Sequence, residues 1–450
     1  MIEIFIPNNN LKERKYIVNT IFKEFFDLEY HINIGSSDYE IVLNNGKKLI
    51  FKDAFFGKFS TDLEYLKIEN IPNSIKFVSN HFLVEKDIPI IYGDNSLYIS
   101  DETIVCGIDI FASSFFMLTR WEEYVNNATD SHNRFPSEES LAFKNNFLER
   151  PIVNEYLEMK KSMLLSLDNS LQFKEYKYKL ILTHDIDHIY AWDSFKKFVL
   201  NLAKDLVKRT SIKDFFNSII YYIQVQKKIK ADPYDTYNYI MDLSESIDVK
   251  SYFFFMAKGL TSYDNNYYSG SNKAKKIVSN ILKRGHHIGI HPTYNAYNNK
   301  EQFTKEKKEL ENNFNTKIVF GREHYLRFEL PTTWQIWEEN QMQWDSTMNY
   351  TNKDGFRCGI CYEYTLFNIL TREKLKLKEK PLIVMDANGI DKLTPDEMES
   401  SIKKLISTVK KYNGEFVFLW HNSSYDTAKW QKHKPVYENI INYHKKKGNI

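Results

Sequence analysis

The sequence predicts an α/β protein: a (β/α) barrel of parallel strands, preceded by a smaller mixed α/β domain. Three observations carry that reading. From about residue 175 onward, apolar runs alternate with helix-period segments, and about seven or eight such units suit a barrel better than an open sheet. Ionisable residues recur directly after those runs, at the ends of strands where α/β folds build their sites. The chain has 450 residues, of which 42% are hydrophobic and 15% aromatic. That is too long for one ordinary core and ample for two.

Taken in order, residues 1–6 read as a strand, and 11–26 have helical spacing through Ile17, Ile21, Phe22 and Phe25. Short alternating runs follow at 39–42 and 97–100, then a helix over 109–124 and a polar, turn-rich segment over 126–140. Helical spacing resumes over 153–167 and ends at Asp168-Asn169-Ser170, so the boundary falls there: residues 1–170 form the accessory domain and 171–450 the barrel. Barrel strands are expected at 180–183, 251–256, 287–290, 318–321, 382–385 and 416–420, with weaker ones near Gln343 and Phe356. One helix has a clear start, with Thr394 as N-cap, Pro395 in the first turn and Glu397 three residues after the cap. Another spans 272–284 and stops at Gly285. A helical insertion over 194–230 carries Phe198, Leu202, Leu206, Phe215, Ile219 and Ile223 among many lysines. It is expected to pack on the barrel with a solvated basic face, peripheral membrane contact being the alternative.

Charge and cysteine content narrow the function. Lys+Arg 61 against Asp+Glu 59 is near balance, which argues against a protein that grips nucleic acid through phosphates. The N-terminus lacks a basic head followed by an apolar core, so no signal peptide is expected. The most apolar later stretch, 108–121, contains Asp109 and Arg120 and is too short to span a bilayer. Cys358 and Cys361 form one C-x-x-C pair with no second pair, which disfavours a structural zinc site. The compartment reads as reducing and cytoplasmic, with contact to the inner face of the membrane as the alternative.

The chemistry concentrates in Thr183-His184-Asp185-Ile186-Asp187-His188, which directly follows the apolar segment 178–182. Four potential metal ligands or proton carriers at a strand end point to an enzyme with a metal. Later strand ends add His291 and Asn295, then Arg322, His324 and Tyr325, Asp345 and Ser346, Arg357, Asp386 and Asn388, and His421-Asn422-Ser423. Asp185 and Asp187 could serve as turn caps, and Asp345, Arg357 and Asp386 could equally be buried ion pairs. His286 and His287 read as helix-end or surface residues. Tyr325, Trp334, Trp344 and Trp420 offer faces suited to sugar rings, although core packing is the commoner use of such residues.

This set of motifs resembles the NodB-type polysaccharide deacetylase family across roughly residues 180–424. The resemblance implies a deacetylase-type barrel, irregular or seven-stranded. Its first motif maps the base to Asp185 and a metal ligand to Asp187. Gly285-His286-His287-Ile288-Gly289-Ile290-His291 matches the second and makes His291 a ligand. The family places another ligand four residues on, where this chain has Asn295; His188, His324 or His287 could replace it. Arg322-Glu323-His324-Tyr325 looks like the third motif, with Arg322 orienting the base, and Phe418-Leu419-Trp420-His421 looks like the last, with His421 as general acid. Tyr325, Asp345, Arg357 and Trp420 would contact substrate. Asp109-Ile110-Phe111-Ala112-Ser113-Ser114, Arg120-Trp121-Glu122-Glu123 and Arg134-Phe135-Pro136 are similar to signatures of a bacterial subgroup with an additional N-terminal domain. The implied activity is removal of N-acetyl groups from an amino sugar of a bacterial surface polysaccharide or its precursor, with a divalent metal ion, zinc, as cofactor. Two other readings stay open: hydrolysis of another linear or cyclic amide, and a non-catalytic glycan-binding protein with a degenerate metal site. A glycosidase using Asp185 and Asp345 would leave the histidines idle.

Overall fold

A computed structural model describes residues 1–191, 198–199, 212–264, 267–427 and 429–445. The protein is mixed α/β and divides into two compact units, 1–179 with 326–383 and 407–416, and 180–325 with 384–406 and 417–450. The division is therefore not one cut near residue 170, because the chain re-enters the first unit after Tyr325. Buried phenols hold the returning segment there: Tyr16 donates to the Thr365 carbonyl at 2.8 Å and Tyr364 to the Leu118 carbonyl at 2.9 Å.

The first unit contains a six-stranded mixed sheet ordered Tyr30–Ile34, Ile2–Ile6, Tyr39–Val42, Lys48–Phe51, Thr103–Ile108 and Gly93–Ile99. Alternation in Ile2–Ile6 puts Ile2, Ile4 and Ile6 on one buried face. The helix Ile110–Thr119 is buried on every side, as its all-round apolar sequence requires. The helix expected over 109–124 breaks at Arg120, which adopts a left-handed backbone (φ 54°), and resumes as Trp121–Val125. Glu122 and Glu123 bind the Arg120 guanidinium and hold that conformation.

In the second unit the strands run Phe320–Gly321, His287–Ile290, Tyr252–Phe255, Lys179–Ile186, Glu415–Leu419 and Leu382–Met385, the last ending in this unit. The row is open, so the expected barrel of parallel strands, irregular or seven-stranded, does not close. A strand expected near Phe356 is absent because Gly355 (φ 143°) and Gly359 (φ 65°) turn the backbone. The strand at Phe320–Gly321 is only two residues long. The register decides what lies at the strand ends. Ile186 pairs with Phe255, Phe255 with Ile290 and Ile290 with Gly321, all parallel. The next residues, Asp187, His291 and Arg322, therefore emerge in one row. Glycine at 321 permits this close approach, since a Cβ there would stand 1.9 Å from the Ile290 carbonyl oxygen.

The helix Asn272–Lys283 and the capping box at Thr394 are as expected: Glu397 accepts the Thr394 N–H at 2.8 Å and Thr394 Oγ1 accepts the Glu397 N–H at 3.3 Å. Of the insertion over 194–230, a helix Ile212–Gln226 is described, and Phe198 stacks on Tyr222 at 3.8 Å. Leu202 and Leu206 lie outside the described residues. Among the described residues, no helix is long and apolar enough to cross a membrane.

Candidate metal centre

Along a strand, residues two apart share a face. The spacing Thr183, Asp185, Asp187 therefore aims all three side chains the same way, while His184 points to the other side. His184 is fully buried there, with Nδ1 2.6 Å from the Trp420 carbonyl and its ring against Phe253. Burial pushes its pKa down to about 4, so it is a neutral core residue.

On the shared face, Asp187 Oδ1 lies 3.3 Å from His291 Nε2 and 3.7 Å from His324 Nε2. The three ligand atoms all fall within 4.8 Å of one another. Each imidazole presents Nε2 because its other nitrogen is engaged. His291 Nδ1 is 2.7 Å from the Arg322 carbonyl, which can only accept, so Nδ1 carries the proton. His324 Nδ1 stands 3.2 Å from Asp264 Oδ1 in the same way. Asp187 Oδ1 is buried and has no hydrogen-bond partner. An orphaned carboxylate oxygen facing two imidazole lone pairs fits a divalent cation. The spacings are near the ~3.3 Å edge of a tetrahedron with ~2.0 Å ligand bonds.

Two further pairs flank this group. Asp185 Oδ1 accepts Arg322 Nη1–H at 2.9 Å, and Arg322 Nη2–H reaches Thr183 Oγ1 at 3.1 Å. Arg322 is buried, and its guanidinium lies over the Phe254 ring. His421 donates its backbone N–H to Asp386 Oδ2 at 2.9 Å, and its Nδ1 is 2.8 Å from Asp386 Oδ1. That leaves His421 Nε2 facing Asp187 Oδ2 at 3.8 Å.

Electrostatics sort the roles. Burial opposes charge on Asp187, but His291, His324 and His421 outweigh it and hold its carboxyl well below the usual carboxylate range. Burial also opposes charge on His421; Asp386 and Asp187 win and push it up to about 10. Burial lowers His324 against the pull of Asp264. His291 moves up, because Asp185 and Asp187 outweigh its burial. Asp264 is held down at about 2: burial opposes its ionisation, but His324, the Tyr294 N–H and Thr261 overcome that.

Not every expected residue joins the group. The backbone after His291 turns, and Asn295 stands exposed on that turn. His188 sits against Tyr234, with ring centroids 5.5 Å apart, outside the Asp187, His291 and His324 group. His287 is exposed and stacks on Tyr252. Of the replacements considered, His324 is the one that meets Asp187 and His291. Tyr325 is 37% exposed beside His324, and with Tyr263 and Tyr294 it forms a tyrosine cluster at the rim. Trp420 is corrected from substrate contact to core: it is fully buried among Phe418, Tyr425, Trp430 and Tyr437. Trp334 and Trp344 are likewise buried. Arg357 and Asp345 belong to the first unit and are buried. Arg357 pairs with Glu123, and Asp345 takes the Thr347 hydroxyl at 2.5 Å beside Glu379. Sequence reading passed over Asp264, which lies in a loop and in no motif. Its only signal was an acidic residue among turn formers shortly after a strand.

A family of unknown function (DUF7033) matches residues 2–169. No curated protein matches the chain. Among solved structures, a candidate polysaccharide deacetylase from Mycobacterium smegmatis is 13% identical, over 60% of this chain and 85% of that one, with a TM-score of 0.39. A CE4 family pseudoenzyme from Bacillus anthracis is 12% identical over 60% of this chain and 62% of its own, with a TM-score of 0.30. A mutant of that pseudoenzyme with restored enzymatic activity gives 13%, 60%, 64% and 0.31. These likenesses are distant, and the chemistry of the site rests on its own atoms.

Proposed function

We propose that the protein is a metal-dependent hydrolase that removes N-acetyl groups from an amino sugar of a bacterial surface glycan or its precursor. The observation that carries this reading is the buried, unpartnered Asp187 Oδ1 facing His291 Nε2 and His324 Nε2, with a carboxylate and an imidazole held ready on either side. Asp187, His291 and His324 would hold a divalent cation, zinc by its donor set, which supplies Lewis acidity toward a carbonyl oxygen and acidifies water.

The remaining steps belong to the chain's own residues. Asp185 takes the proton from the attacking water as its oxygen adds to the acetamide carbonyl carbon. Arg322 fixes the aim of Asp185 through the 2.9 Å contact. His421, backed by Asp386, gives its Nε2 proton to the departing nitrogen as the C–N bond breaks, leaving acetate and the free amine. Tyr325 faces the sugar at the rim. A glycan-binding protein without catalysis would have no use for the Asp185–Arg322 and His421–Asp386 pairs.

Acetate release from N-acetylglucosamine oligomers by the zinc-loaded protein tests the reading, with Asp185→Asn expected to slow it by about 10²–10⁴-fold. Hydrolysis of a cyclic imide without acetate release from any N-acetylated sugar would move the activity to another amide.

A further inference from the structure

One loop touches all three segments that carry the proposed ligands. It follows the strand Tyr252–Phe255 and contributes Asp264 and Tyr267. Asp264 Oδ1 is 3.2 Å from His324 Nδ1 and also accepts the Tyr294 N–H at 2.7 Å, three residues beyond His291. Its other oxygen is held from behind: Oδ2 accepts the Thr261 N–H at 2.9 Å, the Thr261 hydroxyl at 2.8 Å and the Leu260 N–H at 3.2 Å. Tyr267 is buried, donates its hydroxyl to the Ile186 carbonyl at 2.8 Å and accepts the Met256 N–H at 2.6 Å. Ile186 is the residue from which the chain passes to Asp187.

We infer that Asp264 and Tyr267 are positioning residues of the metal centre. Asp264 sets the tautomer and aim of His324, and Tyr267 fixes the backbone that projects Asp187. The inference rests on Asp187, His291 and His324 being the ligands. An imidazole whose Nδ1 lacks a fixed acceptor can present either nitrogen, and a carboxylate at that position also raises ligand basicity. His324 opens a strained turn. The next two residues, Tyr325 (φ 61°) and Leu326 (φ 51°), both take left-handed backbone that bulky side chains avoid. The bland alternative is a loop stitched down for stability alone, with no consequence for the metal.

Zinc dissociation constants and cobalt absorption spectra of the full chain, read beside thermal midpoints, separate the two. Asp264→Ala should weaken zinc by about 10–100-fold, with Asp264→Asn, which keeps an acceptor, falling between it and the wild type. Tyr267→Phe keeps the ring and loses only the hydroxyl, so it remains informative should the Asp264 variants not fold. It should weaken zinc severalfold and shift the cobalt bands. Zinc affinity within about twofold of wild type in every folded variant, with only the melting point lowered, overturns the inference. Asp187→Asn and His324→Ala serve as controls. If they abolish zinc binding while the loop variants do not, only the positioning role fails; if they too leave affinity unchanged, the ligand assignment itself fails.

Discussion

In the first unit, Glu123 accepts Arg357 Nε–H at 2.9 Å and Nη2–H at 2.6 Å, and Arg120 Nε–H at 2.9 Å. In the second, Asp187 Oδ1 meets two imidazole nitrogens at 3.3 and 3.7 Å and hydrogen-bonds neither. Both carboxylates come from motif-like runs. The difference lies in the partner. Guanidinium is a permanent cation with forked donors, so a buried glutamate paired with it is satisfied from within the chain. Imidazoles whose Nδ1 protons are already committed offer lone pairs instead, and a carboxylate facing lone pairs calls for a cation from outside. A buried carboxylate held by guanidinium of its own chain thus reads as structural, and one facing imidazole lone pairs as a binding group.

The largest effect should come from removing a group facing that gap. His324→Ala or Asp187→Asn should abolish stoichiometric zinc, measured by elemental analysis, and lower acetate release on the order of 10³-fold or more. Cutting the Glu123 pairing should do the reverse. Arg357→Ala leaves Glu123 buried with one partner fewer and should cost about 3–5 kcal/mol in denaturant unfolding, with zinc affinity unchanged.

A smaller contrast lies in pH. Burial pushes Glu122 up to about 7 from 4.5, against the pull of Arg120 and the Leu141 N–H. Between those values the native state keeps a proton that the unfolded chain has lost. Stability should therefore fall as pH rises through that window, by about 3 kcal/mol in all. Unfolding curves at the two ends of the window, with Glu122→Gln flattening the slope, check the sign. The smallest expected effect is the sharpest on ligand choice: Asn295→Ala should leave zinc affinity within about twofold of wild type, where loss of a true ligand would not.

Much of this was legible in the sequence. Apolar runs bounded by turn formers located the strands His287–Ile290 and Leu382–Met385, and a cap with its partner glutamate located the helix start at Thr394. Asp185 with Arg322, and Asp187 with His291, were legible as strand-end residues that parallel neighbours would bring into one row. The reading failed where the resembled family's four-residue spacing was carried onto a segment that turns. That is why Asn295 stood in for His324. It failed again where a residue type serves two ends, since nothing in the letters of Trp420 or Arg357 tells a buried face from one that meets substrate.

The sequence by itself determined which residues sit at the ends of which strands, because backbone periodicity and local turn chemistry act over a few residues. Only the tertiary structure decided which of them face one another: the register between strands and the path of the loop bearing Asp264 and Tyr267 depend on packing between segments far apart in the chain. His324 became the third partner of Asp187 through that packing, since a ligand set is a matter of distance between side chains and local sequence carries no measure of it.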